Sequence, residues 1–336
     1  MRIPAIDFAK TIGIALVVFG HISGMGESDV MFSAKNIVNQ FHVPLFFFLS
    51  GFCFKENDSW KAFLVKRIKG LYLPFVTCNL FFYIIHLIAH RLNGEAFTLF
   101  ETLKSGIKIL CGYAISPLGG ASWFLITLFL SLVLFKLLLA VLSKCRHALL
   151  LTLAASLVLS ILGTQITLPW GHEKTMVALF FIAAGHATRS FHLLERINSR
   201  LFLPLIVAGS AIVWLCSRAN YPNMALHQYG NLPLYYLAAL AGTFTIILIC
   251  QQLVPIQPLS FLGKWGQKTI WILLGQFAAF KLVSIWQVLQ FGQPLNAVLS
   301  QPCYYIGGIW GPIYLIAGFF IPLFISKIVL YKKPTH

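Results

Sequence analysis

Two ionisable residues near the start of the chain, Lys10 and His21, have a spacing that suits chemistry. They stand eleven positions apart in an apolar run, which is about three helical turns, so both side chains lie on one face roughly 16 Å apart. The lysine can hold an anion such as the phosphates of a cofactor, and the imidazole can act as general base on a hydroxyl. Two alternatives stay open: Lys10 as an anchor at a helix end, and His21 as a hydrogen-bond partner of a neighbouring helix. Asp7, one turn before Lys10, either pairs with it or is an acid at a helix N-terminus.

A second set of candidates follows in the segment FHVPLFFFLSGF, residues 41–52. His42 is predicted at about the depth of His21, so the two histidines are expected to line one pocket. Ser50 precedes a glycine, and two small residues admit a neighbouring helix or a ligand. Farther along, Trp123 opens an apolar run, a position that is also typical of the aromatic belt at a membrane interface.

Basic residues cluster at Lys66, Arg67 and Lys69, just before a long apolar run. One interpretation is that they anchor the topology of a membrane helix. The other is a cationic site for phosphate groups. They end the segment 55–70, whose mixture of cationic and apolar residues at helical spacing predicts an amphipathic helix on the inner membrane surface.

The composition indicates how these residues are positioned. Of 336 residues, 58% are hydrophobic and only 10% are charged, whereas a globular domain is about 25% charged. The net charge of +16 comes from short basic clusters between apolar runs, as in membrane proteins, and attraction to anionic lipid head groups explains it. Membrane lipid is therefore the expected partner, and nucleic acid is not.

Hydropathy predicts about ten transmembrane helices, each near the 20 residues that a bilayer requires. With the N-terminus inside, 17 lysines and arginines fall on the inner side and 6, Lys35 among them, fall on the outer side, so both termini are predicted to be cytoplasmic. The expected fold is an all-α bundle that forms a single domain over residues 1–336. The predicted spans are 8–25, 38–54, 71–90, 123–142, 148–164, 175–188, 201–217, 232–252, 269–289 and 310–330.

Several kinds of chemistry are excluded by missing motifs. The sequence contains no Walker loop, no H-E-x-x-H and no G-x-S-x-G. Its seven cysteines show no C-x-x-C spacing, and no metal is expected. Acidic residues are absent from the middle of every predicted span, which argues against an ion-coupled transporter.

Four segments in order resemble the membrane acyltransferase 3 family, in particular its fucose 4-O-acetylase-like branch of sugar acetyltransferases. The first resembles the family's opening helix, where a basic residue precedes a histidine by eleven positions, as Lys10 precedes His21. A fifth segment resembles the family's penultimate helix. The four segments and the fifth are IDFAKTIGIALVVFGHISG (6–24), FHVPLFFFLSGFCFK (41–55), FLVKRIKGLYLPF (63–75), ASWFLITLF (121–129) and LSFLGKWGQKTIWILLGQFAAFKLVS (259–284).

The resemblance implies a multi-pass enzyme of the cell membrane, the inner membrane in a bacterium. Its expected reaction transfers an acetyl group from acetyl-CoA to a sugar hydroxyl of a cell-envelope glycan or its lipid-linked precursor. In this interpretation His21 is the catalytic base, and Lys10 with Arg67 and Lys69 holds the CoA phosphates. Direct transfer and transfer through an acyl-His21 intermediate both remain open.

In the same interpretation, the substrate pocket is lined by His42, Ser50 and Trp123. Gln276 stands where the family often has a histidine, a departure that weakens any role for this position. The alternative function is a transporter or flippase for an envelope lipid or sugar, in which these polar groups line a pathway.

Overall fold

The computed structural model describes residues 3–92, 94, 97–298 and 302–331. Across these residues the chain is helical and contains no β-strand beyond isolated bridges. Both termini, for which a cytoplasmic position is predicted, lie outside the described residues. The α-helices in this part of the chain are α1 (Pro4–Gly20), α2 (Asp29–Asn39), α3 (His42–Phe52), α4 (Trp60–Arg67), α5 (Leu73–Leu92), α6 (Leu99–Leu110), α7 (Trp123–Leu142), α8 (Ala148–Gln165), α9 (Glu173–Ser190), α10 (Leu193–Arg196), α11 (Phe202–Ala219), α12 (Leu232–Leu253), α13 (Thr269–Gln290) and α14 (Trp310–Tyr331).

Within the described ranges, seven helical stretches are long and apolar enough to cross a membrane. Three further predicted spans correspond to α1, α3 and α9, which are short or carry charged side chains. The seven stretches are Trp60–Arg91, Leu118–Leu142, Ala148–Gln165, Ser199–Ala219, Leu232–Leu253, Phe261–Gln290 and Trp310–Ile328.

The span predicted over 38–54 covers α3 and the last two residues of α2, with Gln40 at the junction between the two helices. A buried polar cluster occupies this junction. The Asn36 amide donates to the carbonyl oxygens of Ser217 (2.6 Å) and Asn220 (3.1 Å), and the Gln40 amide donates to Asn220 (2.9 Å). Buried amides require such partners, and the carbonyls that provide them lie far away in the sequence.

The helix predicted over 55–70 has other bounds in the structure. Its helical part is α4, which begins at Trp60, where the Ser59 hydroxyl accepts a hydrogen bond from the Ala62 backbone at 3.3 Å. The π-helical turn Ile68–Tyr72 then connects α4 to α5. The basic cluster therefore belongs to the first turns of a helical stretch that continues through α5 and is long and apolar enough to cross a membrane. Its position on the inner membrane surface stays a prediction.

The chain divides into two compact units. Unit 1 comprises Met1–Phe46 with Ile197–His336, and unit 2 comprises Phe47–Arg196. The boundary falls within α3.

In unit 1, α1 packs against α12, α13, α14 and the helical segment Gln257–Lys268. The approach to that segment is close: a methyl group at Gly266 would lie 1.9 Å from the carbonyl oxygen of Asp7. The Thr11 hydroxyl donates to the Leu262 carbonyl at 2.7 Å. These contacts fix the N-terminal half of the helix that carries Lys10.

In unit 2, α9 packs against α7 and α8. It also meets α3 backbone to backbone. A methyl group at Gly51 would lie 1.9 Å from the Ile182 carbonyl oxygen, and one at Gly185 would lie 2.0 Å from the Phe48 carbonyl oxygen. Small residues permit this kind of close helix contact in membranes.

We expect Gly51→Ala and Gly185→Ala to destabilise unit 2, because each added methyl group meets a backbone carbonyl that no side-chain rotation can move. Overpacking of this kind costs about 1–3 kcal/mol. Thermal unfolding of the purified protein in detergent should show a lower midpoint for both variants. Gly106→Ala in α6 is the control, since open space surrounds that position. Equal midpoints for all three variants would contradict the close packing.

Candidate active site

Lys10 lies in the N-terminal half of α1. Its ammonium lies 3.2 Å from the Asp7 carboxylate, one turn earlier, and the Gln267 amide donates to the other carboxylate oxygen at 3.5 Å. Both charged side chains are partly exposed, and such ion pairs contribute little to stability. Lys10 therefore retains the ability to pair with a more highly charged anion.

His21 ends α1, with its backbone N–H bonded to the carbonyls of the last turn. Its ring lies 5.1 Å, centroid to centroid, from the ring of Phe277. Its Nδ1 lies 3.2 Å from Oε1 of Gln276. The imidazole is therefore in contact with two neighbouring residues of α13.

The side chain of Gln276 is buried and its orientation follows from its other contact. Its Nε2 donates to the Leu273 carbonyl at 3.0 Å, so Oε1 is the atom that faces His21. An amide oxygen only accepts hydrogen bonds, and Nδ1 of His21 must therefore carry the proton. In the neutral ring this leaves the lone pair on Nε2, which is the form a general base requires.

Gln276 thus contacts His21, at a position where the family often has a histidine. The sequence alone could not reveal this contact, because His21 and Gln276 are 255 positions apart. The signal that was available is an amide in the middle of an apolar helix, which needs a partner wherever it is buried.

The connection between α1 and α2 is tied down by Lys35, a residue that sequence reasoning placed only as an outer-side lysine. Lys35 is buried, donates to the Ile22 carbonyl at 3.1 Å and lies 2.5 Å from the Glu27 carboxylate. It is also within electrostatic range of His21. This ion pair fixes the backbone immediately after the imidazole.

A second set of contacts holds the same connection from the other side. Met25 forms an isolated parallel bridge with Tyr305. The Met25 N–H donates to the Tyr304 carbonyl (3.1 Å), and its carbonyl accepts from Ile306 (2.8 Å). His21 is therefore followed by a backbone segment with few degrees of freedom.

His42 is the first residue of α3 and is buried. Its Nδ1 lies 2.9 Å from the Val38 carbonyl oxygen, so the proton is again on Nδ1. His42 lies within electrostatic range of His21. That the two histidines line one pocket stays a prediction.

The other predicted site residues belong to unit 2. Ser50 is half-buried beside Gly51. Trp123 is half-buried, and the Lys174 ammonium lies 5.9 Å from the centre of its ring. Lys69 is exposed, whereas Arg67 is half-buried and its Nε has no hydrogen-bond partner.

A charged cluster in unit 2 links the loop before α4 to two helices. His186 Nε2 of α9 lies 2.8 Å from the Glu56 carboxylate. Lys136 of α7 donates to the backbone carbonyls of Asp58 (2.8 Å) and Glu56 (3.3 Å). His186 and Lys136 therefore each join a helix to the loop before α4.

The structure therefore groups the predicted residues in two sets. Unit 1 contains Lys10, His21 and His42, and unit 2 contains the remaining four. Within the described residues, no group of three or more histidines, cysteines or acids is arranged to hold a metal ion. The chemistry that unit 1 supports is base catalysis at Nε2 of His21.

We expect Gln276→Leu to release the Nδ1 proton of His21. A hydrogen bond is worth about 1 kcal/mol net, so the ratio of the two neutral tautomers should move about fivefold towards the Nε2–H form. Nitrogen-15 NMR of the labelled histidine side chains measures this ratio, with His21→Ala identifying the signal. Gln276→Glu, which keeps an acceptor oxygen, should keep the Nδ1–H form, and the signal of His42 should not move. An unchanged His21 tautomer in Gln276→Leu would show that the amide does not set it.

Comparison with known proteins gives one match. A family model described as an acyltransferase domain, Acyl_transf_3, matches residues 3–329. No curated protein and no solved structure matches the chain.

Proposed function

We propose that this chain, which belongs to the acyltransferase 3 family, is a membrane-bound O-acetyltransferase. It transfers an acetyl group from acetyl-CoA to a sugar hydroxyl of a cell-envelope glycan or its lipid-linked precursor. The observation that carries the proposal is the His21–Gln276 hydrogen bond, because it leaves the lone pair of Nε2 available as a base. Family membership favours acyl transfer over the transporter or flippase considered from the sequence.

The proposed reaction begins when Nε2 of His21 takes the proton of the acceptor hydroxyl. The hydroxyl oxygen attacks the thioester carbonyl, the carbon–sulfur bond breaks, and the CoA sulfur leaves with the proton that His21 returns. Throughout this cycle Nδ1–H of His21 donates to Gln276, which keeps the ring oriented. A route through an acyl-His21 intermediate uses the same nitrogen as nucleophile and the same orientation.

The donor is proposed to bind through its phosphates to Lys10, Arg67 and Lys69. Two observations support this choice. The ion pair of Lys10 with Asp7 is partly exposed and weak. The buried Nε of Arg67 lacks a partner, and a guanidinium with a free N–H suits a phosphate oxygen. The reaction requires no metal.

The acceptor is proposed to contact His42, Ser50 and Trp123. An apolar cavity of about 300 Å³ also opens beside the α1–α2 connection, with Phe19 and Ile22 among its lining residues. Since these two residues flank His21 in the sequence, the cavity supports an acceptor that carries an apolar chain.

For the whole chain we propose a single acyltransferase domain over 1–336, because the family match runs through both units. We further propose about ten transmembrane helices with both termini in the cytoplasm. The location proposed is the cell membrane, which is the inner membrane in a bacterium.

We expect His21→Ala to lower the rate of acetyl transfer by about 100-fold or more, the usual contribution of a positioned general base. The measurement uses purified protein in lipid, acetyl-CoA labelled on the acetyl group and membrane glycans as acceptor. His147→Ala is the matched control, because His147 is an exposed histidine at the start of α8, and it should transfer label at the wild-type rate.

A folded His21→Ala variant with wild-type activity would rule out His21 as the base. Donor binding is recorded in the same samples. Absence of both label transfer and CoA binding in the wild type would reject the acetyl-CoA donor.

Labelling of two exposed cysteines tests the proposed orientation of the chain in the membrane. Cys111 falls in the predicted outer connection and Cys145 in a predicted inner one, and both are exposed. In variants that retain only one of them, a membrane-impermeant maleimide added to intact spheroplasts should label Cys111. It should label Cys145 only after permeabilisation. The opposite pattern would invert the orientation, and labelling of both in intact spheroplasts would contradict the number of spans between them.

A further inference from the structure

One face of α4 carries two aromatic residues and an arginine, and Lys136 of α7 lies over both aromatic rings. Trp60, Phe63 and Arg67 follow one another at helical spacing, so their side chains lie on the same side of the helix. The Arg67 guanidinium lies 5.4 Å from the centre of the Phe63 ring. The ammonium of Lys136 lies 5.2 Å from the same ring and 5.3 Å from that of Trp60.

The cation over the two aromatic rings is fixed. Lys136 is buried, and its ammonium is bonded to the backbone carbonyls of Glu56 and Asp58. The ring centres of Trp60 and Phe63 are 6.1 Å apart with their planes at 86°, and the Lys136 ammonium lies over both rings. Phe63 is buried, whereas Trp60 is 41% exposed. Part of the indole is therefore accessible to a flat ligand.

The other end of this face is basic. Arg67 follows Trp60 by seven residues, which is roughly 10 Å along the helix axis, and its Nε has no hydrogen-bond partner. Lys66 beside it is exposed, with the Asp58 carboxylate 3.9 Å away. A flat ring that stacks at one end and phosphate groups that pair at the other are the two features of the nucleotide half of CoA.

We propose that Trp60 stacks on the adenine ring of the acyl-CoA donor while Arg67 and Lys66 pair with its phosphates. This assignment rests on the proposed acyl-CoA donor and adds the residue that recognises the base. The competing role for an exposed tryptophan is an anchor at the membrane interface, and it predicts no effect of Trp60 on CoA binding.

The test compares two ligands on the full-length protein in lipid nanodiscs: CoA, and 4′-phosphopantetheine, which lacks the 3′-phospho-AMP unit and with it the adenine ring. Trp60→Ala should weaken CoA binding about tenfold, the scale of aromatic stacking on a base, and leave binding of 4′-phosphopantetheine unchanged. Trp60→Phe should retain most of the CoA affinity. Trp214→Ala is the matched control, because Trp214 is 52% exposed and the Arg218 guanidinium lies 5.9 Å from the centre of its ring. Trp214 differs from Trp60 in lying on α11. The Trp214→Ala variant should bind both ligands as the wild type does.

Three results would overturn the assignment. Wild-type CoA affinity in Trp60→Ala would make the ring an interface anchor and leave the acyl-CoA donor intact. An equal loss of both ligands in Trp60→Ala would show a disturbed site rather than a lost stack. No CoA binding by the wild type would reject the donor itself and this inference with it.

Discussion

Polar side chains among apolar helices must find their partners within the protein, because lipid offers no hydrogen bonds. This requirement determines much of the structure. The amide of Asn79, for example, donates to the Ser122 hydroxyl at 2.9 Å and accepts from the Ser116 backbone at 2.8 Å. Gln287 similarly joins the Tyr314 hydroxyl and the Tyr305 backbone. Each pairing fixes a loop or a turn to a helix, and the contact of His21 with Gln276 belongs to the same class.

The sequence predicts most helices well, because apolar runs of membrane length leave few alternatives. Stretches such as 123–142 and 232–252 match α7 and α12 almost residue for residue. The break between α2 and α3 near Gln40 could not be predicted from hydropathy, because it depends on carbonyl groups some 180 positions away. The continuity of α4 with α5 was equally hidden, because a mixture of lysines and apolar residues fits a surface helix and the start of a membrane helix equally well.

The candidate site shows the same contrast between local and distant information. Helical spacing alone places Lys10 and His21 on one face, and Asp7 pairs with Lys10 as one of two expected alternatives. The functions of Lys35 and Gln276 depend instead on contacts between segments. Lys35 was counted among the outer basic residues, although its burial and its bond to Ile22 make it part of the support of His21.

The amide at position 276 has a consequence for the path of the proton in the proposed reaction. A carboxylate beside His21 would have offered the imidazole a second proton carrier, whereas an amide does not titrate. In the proposed reaction the proton taken from the acceptor therefore has one destination, the departing sulfur. The driving force of acetyl transfer at this site would then come from cleavage of the thioester.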